Sequence, residues 1–572
     1  MHTIDWLIFA LYMGGTLALG LWTSRRGKDI DAYYLGNRSL PWWAVGLSVM
    51  ATQASAITFI GTTGQAYNDG MRFIQVYLPL PIVVVILCMT FAPFFYRARV
   101  YTAYEYLERR FDPKTRSLTS FLFQCSRGMS VGIVLYAPSV VLSVILGWDE
   151  TFTILMMGIT TLLYTAKGGV RAVVWTDTLQ MILMFIGVFL GLYIVITKLP
   201  EGITFSDAVY LGGLSKRWNT VDTSLDLNNR YTLLSGLLGG FFLMLSYFGC
   251  DQSQVQRYIT ASSVKESRMS LIMTGFLKVP MQFFILATGV FLFIFYQFER
   301  PPIYFNTADI ARVEQSPARD ELLRRQAEFD QAFDKQRELS FALVEARRRG
   351  DQSEVDRLVG ERQAAVSQVE QVRKSTADLI KSTSATPTND VNYVYPAFLL
   401  KYFSGGILGM MISVIFAAAM SSIAGEIAAL SSASMVDFYK RYFKPEASDA
   451  HYLRAGQIST LFWGVFATFA AFFLGSRGTS LVETVNTVGS HFYGPILGVF
   501  ILAFFVRRAT GTAAFISIIL GMIAVISVSW FTKVSWLYLN VIGPVVVVAA
   551  GLILSMILPG RTKPDVETRN SG

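Results

Sequence analysis

Apolar runs about twenty residues long return along this chain again and again, separated by short charged stretches. A helix of about 20 apolar residues crosses a bilayer core, and in hydrocarbon each backbone polar group must be satisfied within its own segment. The runs therefore dictate a bundle of membrane helices. About thirteen are present, at 4–22, 40–66, 72–96, 118–146, 151–166, 173–197, 231–250, 269–297, 405–437, 453–474, 481–505, 511–531 and 536–558. Only 16% of the 572 residues are charged and 53% are apolar, against roughly 25% charged in soluble domains, which excludes a single soluble enzyme domain. The net charge of +9 does not point to nucleic acid, because the basic residues cluster beside apolar runs rather than along one polar face. Cys88, Cys125 and Cys250 fall in or beside apolar runs with no paired spacing, and imply neither a disulfide framework nor a zinc site. The first run follows directly on Met1–Thr3, with Arg25 and Arg26 after it, and reads as a retained anchor rather than a cleaved signal.

Short cytoplasmic loops hold an excess of Lys and Arg, and this orients the chain. Arg25, Arg26, Lys28 and Arg38 follow the first run, and Arg97, Arg99, Arg109, Arg110, Lys114 and Arg116 follow the third. Lys167 with Arg171, Arg257 to Arg268, Lys440 to Arg454, Arg507 with Arg508, and Arg561 with Lys563 continue the alternation. The N-terminus is expected outside and the C-terminus in the cytoplasm, as an odd number of crossings requires. The polar segment 299–392 then lies outside. Phe329, Phe333, Gln336, Leu339 and Leu343 recur in it at helical spacing, Arg349-Gly350-Asp351 turns the chain, and Val355, Leu358, Val366, Val369, Val372 and Leu379 resume the pattern. The spacing predicts a helical hairpin of coiled-coil type standing outside the membrane, with largely solvated faces and room for a docking protein partner.

Polar residues inside spans are costly in lipid and point to function. The second span reads VMATQASAITFIGTTG, with Thr52, Gln53, Ser55, Thr58 and two glycines interrupting it, and the seventh reads LSYFGCDQSQVQRY. One such break is ordinarily a packing kink. Two breaks five spans apart are the pattern of an inverted-repeat transporter, in which unwound backbone at mid-membrane binds solute and cation.

Together, YTAYEYLERRFD, GGVRAVVWTDTLQ, DQSQVQRYI and SSIAGEIAALSSASMVDFY make the chain resemble the sodium:solute symporter family, which includes sodium-coupled sugar, proline, sialic acid, iodide, monocarboxylate and vitamin transporters. The first three stretches lean toward the iodide, monocarboxylate and vitamin branch. The resemblance implies an all-α membrane protein with a LeuT-like core of two inverted five-helix repeats. On that plan 1–39 is an extra helix and loop, 40–197 the first repeat and 198–230 an outer loop. The second repeat runs over 231–298 and 393–507, interrupted by the hairpin at 299–392, and 508–572 supplies extra helices and a tail.

Sodium is a hard cation that takes carbonyl and hydroxyl oxygens in a dry site. Matched to the family motif, Ala51, Ala54 and Ala418 look like the carbonyl ligands, and Ser421 and Ser422 like the hydroxyl ligands. Serines that merely bond back along their own helix are the alternative. A second cation site in some relatives uses an aspartate matched by Asp177 with further serines, where this chain has Ala424 and Gly425. The departure puts a second sodium in doubt. Glu426 stands one turn from Ser422, roughly 6 Å along the helix. It is a candidate to replace the lost hydroxyls as a ligand or proton carrier, or else to pair with a basic residue such as Arg171.

The solute is expected between the breaks. Tyr247 matches the family's aromatic inner gate, and Lys278 matches a lysine that reaches the ligand in sugar-transporting relatives. Arg127, on a site-lining helix, is suited to gripping a carboxylate bidentately or to snorkelling toward headgroups. Gln53, Thr58, Tyr77 and Asn486 are candidate orienting groups. If Arg127 and Lys278 both face the pocket, an anion such as a monocarboxylate or acidic sugar is favoured over a neutral sugar. A Walker-type phosphate loop is missing from the sequence, as is an ATP-binding domain after the last span, so a primary pump, a sensor kinase or another enzyme is a poor reading. A transport-inactive receptor stays open. The expectation is a sodium-coupled symporter in a bacterial inner membrane.

Overall fold

The computed structural model describes residues 2–24, 29–383, 390–403, 405–474 and 481–558. Arg25, Arg26, Lys28, Arg561 and Lys563, used above to orient the chain, lie outside the described residues. Among those described the chain is helical, and its one β-type contact is an isolated bridge between Leu40 and Ala261. Among the described residues, ten helical stretches are long and apolar enough to cross a bilayer, and Ser235–Cys250 is a shorter apolar helix. Large hydrophobics such as Ile82, Met89, Phe189, Phe473 and Ile553 remain exposed along them. Such a surface is tolerable only where lipid, not water, is the solvent.

The elements that build the site are α1 (Thr3–Thr23), α2 (Trp42–Gln53), α3 (Thr62–Asp69), α4 (Pro113–Leu146), α5 (Glu150–Thr197), α6 (Gly240–Cys250), α7 (Gln252–Tyr258) and α8 (Val264–Phe295). They are followed by the hairpin pair α9 (Arg319–Arg349) and α10 (Gln352–Thr383), then α11 (Ile407–Ala433), α12 (Asp449–Leu474), α13 (Leu481–Phe505), α14 (Gly511–Phe531) and α15 (Trp536–Ile557). α11 is apolar on every side and buried along almost its whole length, as a central helix must be. It packs against α1, α4 and α5. Its first turn is capped from α1, where the Asp5 carboxylate accepts from the Gly406 and Gly409 N–H groups, each at 2.9 Å.

α5 covers two of the expected crossings. Its 48 residues would make a rod of about 72 Å, more than twice a bilayer core. The helix breaks at Gly169, whose φ of +57° and ψ of −156° suit glycine alone. The chain folds back there, because Tyr164 and Thr176 both close on Gly20: a Cβ on that glycine would lie 2.6 Å from the first and 3.4 Å from the second. Twelve residues of unbroken helix would hold those two about 18 Å apart.

The hairpin forms as its spacing predicts and turns at Gly350, where φ is +74°. Phe329, Phe333, Gln336, Leu343, Val355, Leu358, Val366, Val369 and Val372 are buried, with Leu339 and Leu379 partly so. Its charged outer faces are solvated, with Arg324, Arg349 and Arg357 each more than half exposed, but it does not stand free. Near the tip, Leu343, Val344, Val355 and Leu358 join the main core, while Phe329, Phe333, Val369 and Val372 close over Ile303, Tyr304 and Val313. Arg347 and Arg348 pair with Asp207, and Arg362 reaches Ser215 and Gln297. Burial alone would raise the Asp207 carboxyl, but the Thr204 hydroxyl and N–H and the Arg348 guanidinium hold it below its usual range. Arg347, Arg348 and Arg362 thus tie the hairpin to the 198–230 segment.

Candidate functional site

Both breaks fall where the sequence places them, but the glycines do not make them. α2 ends at Gln53, and Ala54 leaves the helical region with φ −82° and ψ 67° before winding resumes over Ile57–Gly61 in wider π-type turns. Gly61 and Gly64 instead permit close packing, since a Cβ on Gly64 would overlap the Val391 carbonyl. The second break lies at Asp251, with φ −78° and ψ 122°, between α6 and α7. Asp251 caps α7, accepting from the Ser253 N–H at 2.8 Å.

A helix that stops leaves its last carbonyls without intrahelical donors. In α2 the Met50 carbonyl is served by the Ala54 N–H, and the Gln53 carbonyl by the Ser55 N–H at 3.0 Å. The Ala51 and Thr52 carbonyls are met from α11. Ser421 Oγ donates to Ala51 O and Ser422 Oγ to Thr52 O, both at 3.1 Å, and each hydroxyl also lies 3.2 Å from Ala418 O. Five oxygens from two helices thus gather in a buried spot, with no charged group among them. The other carbonyl of the expected set, that of Ala54, belongs to the residue at which the helix breaks. A set of neutral carbonyls and hydroxyls suits a weakly held alkali cation.

Beside this cluster lies a cavity of about 100 Å³ lined by Gln53, Thr58, Tyr77, Arg127, Tyr247 and Asn486, and also by Thr52, Ser422, Glu426 and Tyr493. Six of the seven sequence-derived solute candidates therefore share one wall. Lys278 is the exception. It is fully buried behind Tyr77, with Nζ 5.9 Å from that ring's centroid and no hydrogen-bond partner among the described residues.

Arg127 does not snorkel. It is 3% exposed, and its guanidinium is held on three sides. Nε donates to Asp251 Oδ2 at 2.6 Å, Nη1 to Glu426 Oε1 at 2.9 Å and Nη2 to the Tyr493 hydroxyl at 2.6 Å. The rings of Tyr247 and Tyr493 flank it, with centroids at 5.1 and 5.5 Å. Glu426 pairs with Arg127, not with Arg171, because its side of α11 faces the cavity. Among the described residues, Glu426 Oε2 and Gln53 Oε1 are left without hydrogen-bond partners. Asp177 lies elsewhere, accepting from Ser48 Oγ at 2.6 Å and facing Arg257 at 4.0 Å. Arg257, counted above among loop charges, is in fact fully buried.

Asp251 and Tyr493 are absent from the sequence-derived set. An aspartate inside a membrane-span break is a readable signal. Tyr493 carries none, standing in a span already rich in aromatics.

The family model for the sodium:solute symporter family matches residues 33–308 and 376–521. The Sodium/sialic acid symporter SiaT of Proteus mirabilis (strain HI4320) is 27% identical over 97% of this chain and 95% of its own length. The Sodium/glucose cotransporter of Vibrio parahaemolyticus is 26% identical over 93% of this chain and 85% of its own. A solved substrate-bound outward-open state of a Na+-coupled sialic acid symporter superposes with a TM-score of 0.77 at 25% identity, covering 98% of this chain and all of that one.

Proposed function

This chain belongs to the sodium:solute symporter family and is a multi-pass, sodium-coupled membrane symporter, and we propose that it couples sodium at the α2–α11 oxygen cluster to entry of a small organic anion through the adjoining cavity. One observation carries this reading. Thr52 and Ser422 belong both to the oxygen cluster and to the cavity wall, so one pair of residues serves both sites. A cation that draws Ala51, Thr52 and Ala418 oxygens and the two serine hydroxyls together fixes the end of α2. It thereby orders the wall that carries Gln53, and solute binding favours the cation in return by the same factor.

In this reading the thirteen apolar segments are thirteen crossings, arranged as inverted repeats over 40–197 and 231–507. The matched breaks at Ala54 and Asp251 support that arrangement, as does the fold-back at Gly169 that makes two crossings of α5. The N-terminus and hairpin face outward and the C-terminus the cytoplasm of a bacterial inner membrane. The contact of Asp5 with Gly406, near the chain's return from the hairpin, supports placing the first two together.

The solute's carboxylate meets Arg127. Because Glu426, a cavity-lining residue, holds that guanidinium through one oxygen and leaves its other without a hydrogen-bond partner among the described residues, it is the partner a solute carboxylate exchanges with, while Asp251 keeps Arg127 in place. The same pairing favours a second reading. With Arg127 already matched by two carboxylates, a neutral sugar held by Gln53, Asn486 and Thr58 would need no exchange. Uptake of labelled monocarboxylates, sialic acid and sugars into proteoliposomes under an inward sodium gradient separates the two. Sodium-driven uptake of an acid, lost in Arg127→Ala, supports the anion; sugar uptake that survives the substitution supports the neutral solute.

A further inference from the structure

We propose that the recess at the fold-back of α5 binds an anionic phospholipid, with one phosphate oxygen in the space that Lys167 and Arg171 line and the acyl chains along the seam of α5 and α12.

The recess lies where the end of α1, the short helix Ile30–Leu35, the Gly169 break and the first turns of α12 meet. Asn37, Lys167, Arg171 and Gln457 are among its lining residues, and none of those residues is acidic. Among the described residues Lys167 and Arg171 pair with no carboxylate, and the Asn37 and Gln457 amides have no hydrogen-bond partner. Glu426, which the sequence offers to Arg171, is held by Arg127. The Tyr33 hydroxyl is engaged already: it donates to the Ala166 carbonyl and lies 2.9 Å from Thr460 Oγ1, tying α5 to α12. What is left unmet is two cations and two amides, a set of donors that suits an anion. The second half of α5 begins at the same place, and the start of a helix favours negative charge.

Size and surroundings select the kind of anion. The recess holds about 20 Å³, room for one water-sized group and so for a single phosphate oxygen. The rest of the ligand therefore lies outside it, against the lipid-facing surface. There α5 and α12 run antiparallel in close contact, since a Cβ on Gly464 would lie 2.4 Å from Leu162 Cδ1 and one on Gly158 2.7 Å from Thr468 Oγ1. Away from the recess both helices carry apolar side chains about half exposed, Ile159 and Leu163 on α5 and Leu461 and Val465 on α12. Unmatched cations at one end and an exposed apolar seam leading from them reproduce the layout of a phospholipid. A soluble phosphate would have no use for the seam.

The test is native mass spectrometry of the delipidated full chain in detergent, titrated with dioleoyl phosphatidylglycerol or dioleoyl phosphatidylcholine. Wild type is expected to bind one phosphatidylglycerol in preference to phosphatidylcholine. Lys167→Gln with Arg171→Gln should weaken that binding about fivefold for each cation removed. Arg507→Gln with Arg508→Gln takes the same charge from another loop and should leave it unchanged. Equal weakening by the two pairs would reduce the effect to general surface charge and overturn the proposal, as would equal binding of the two lipids. Inorganic phosphate that displaces phosphatidylglycerol, and does so only with Lys167 and Arg171 present, would make the recess a free-phosphate site and overturn it too. If the double variant does not fold, Lys167→Gln alone, at an exposed position, is compared with Arg507→Gln alone, and equal binding by the two contradicts the proposal.

Discussion

The Ser422 hydroxyl donates to the Thr52 carbonyl at 3.1 Å, and the same two residues line the cavity on their other side. Coupling between a cation and a solute requires a differential contact that each can influence in the other's site. In the proposed reading a single inter-helix contact supplies it.

The Arg127 cluster is expected to answer unequally to loss of its two carboxylates. Asp251 serves both the guanidinium and the first turn of α7, whereas Glu426 binds through one oxygen and its other has no hydrogen-bond partner among the described residues. Breaking a buried ion pair by removing one partner costs about 3–5 kcal/mol. Asp251→Ala should therefore lower the melting temperature in detergent well beyond the change in Glu426→Gln. Equal shifts would show that Asp251 does not anchor the arginine.

Two glycines with opposite surroundings give a paired stability test. Gly169→Ala forces a side chain into φ +57°, ψ −156°, and its Cβ would lie 2.3 Å from the Tyr33 carbonyl. Strain of that kind costs about 1–3 kcal/mol before the clash is added, so the yield of folded protein should fall sharply. Gly360→Ala meets nothing within 4 Å on α10, and should stabilise the hairpin by about 0.5–1 kcal/mol. Both effects are read as folded yield and melting temperature in detergent.

Docking of the hairpin tip should depend on pH. The folded-state Asp207 carboxyl lies below its usual range, so its contribution is fully present above the ordinary carboxylate value of about 4. It is lost as pH falls through the lower folded value. Amide protection over residues 343–358, taken relative to the intrinsic exchange rate at each pH, should be high at pH 7 and fall at the acid end, and Asp207→Asn should lower it at neutral pH. Protection unchanged by the substitution would mean that the apolar contacts of Leu343 and Leu358 suffice.

Much of this fold was legible because apolar runs of bilayer length admit few structures, and hairpin periodicity survives any context. The fold-back at Gly169 was readable as a gap between runs at Lys167 and Arg171. What could not be read were facts of packing. Whether a glycine breaks a helix or lets a neighbour approach depends on that neighbour, so Gly61 and Gly64 misled while Ala54 gave no warning. Lys278 and Arg257 carried the right residue type for a pocket and a loop respectively, yet both are buried away from those places. Arg127 lines the cavity as expected, but its two carboxylates come from segments 124 and 299 residues distant, a separation no local pattern encodes.

The most direct test of the central claim is sodium-gradient-driven uptake by proteoliposomes containing wild type or Ser421→Ala with Ser422→Ala, scored on the solute panel above. The account predicts uptake by wild type that collapses at least tenfold in the double variant, with the variant still monodisperse in detergent. Undiminished sodium-driven uptake by that variant would contradict it.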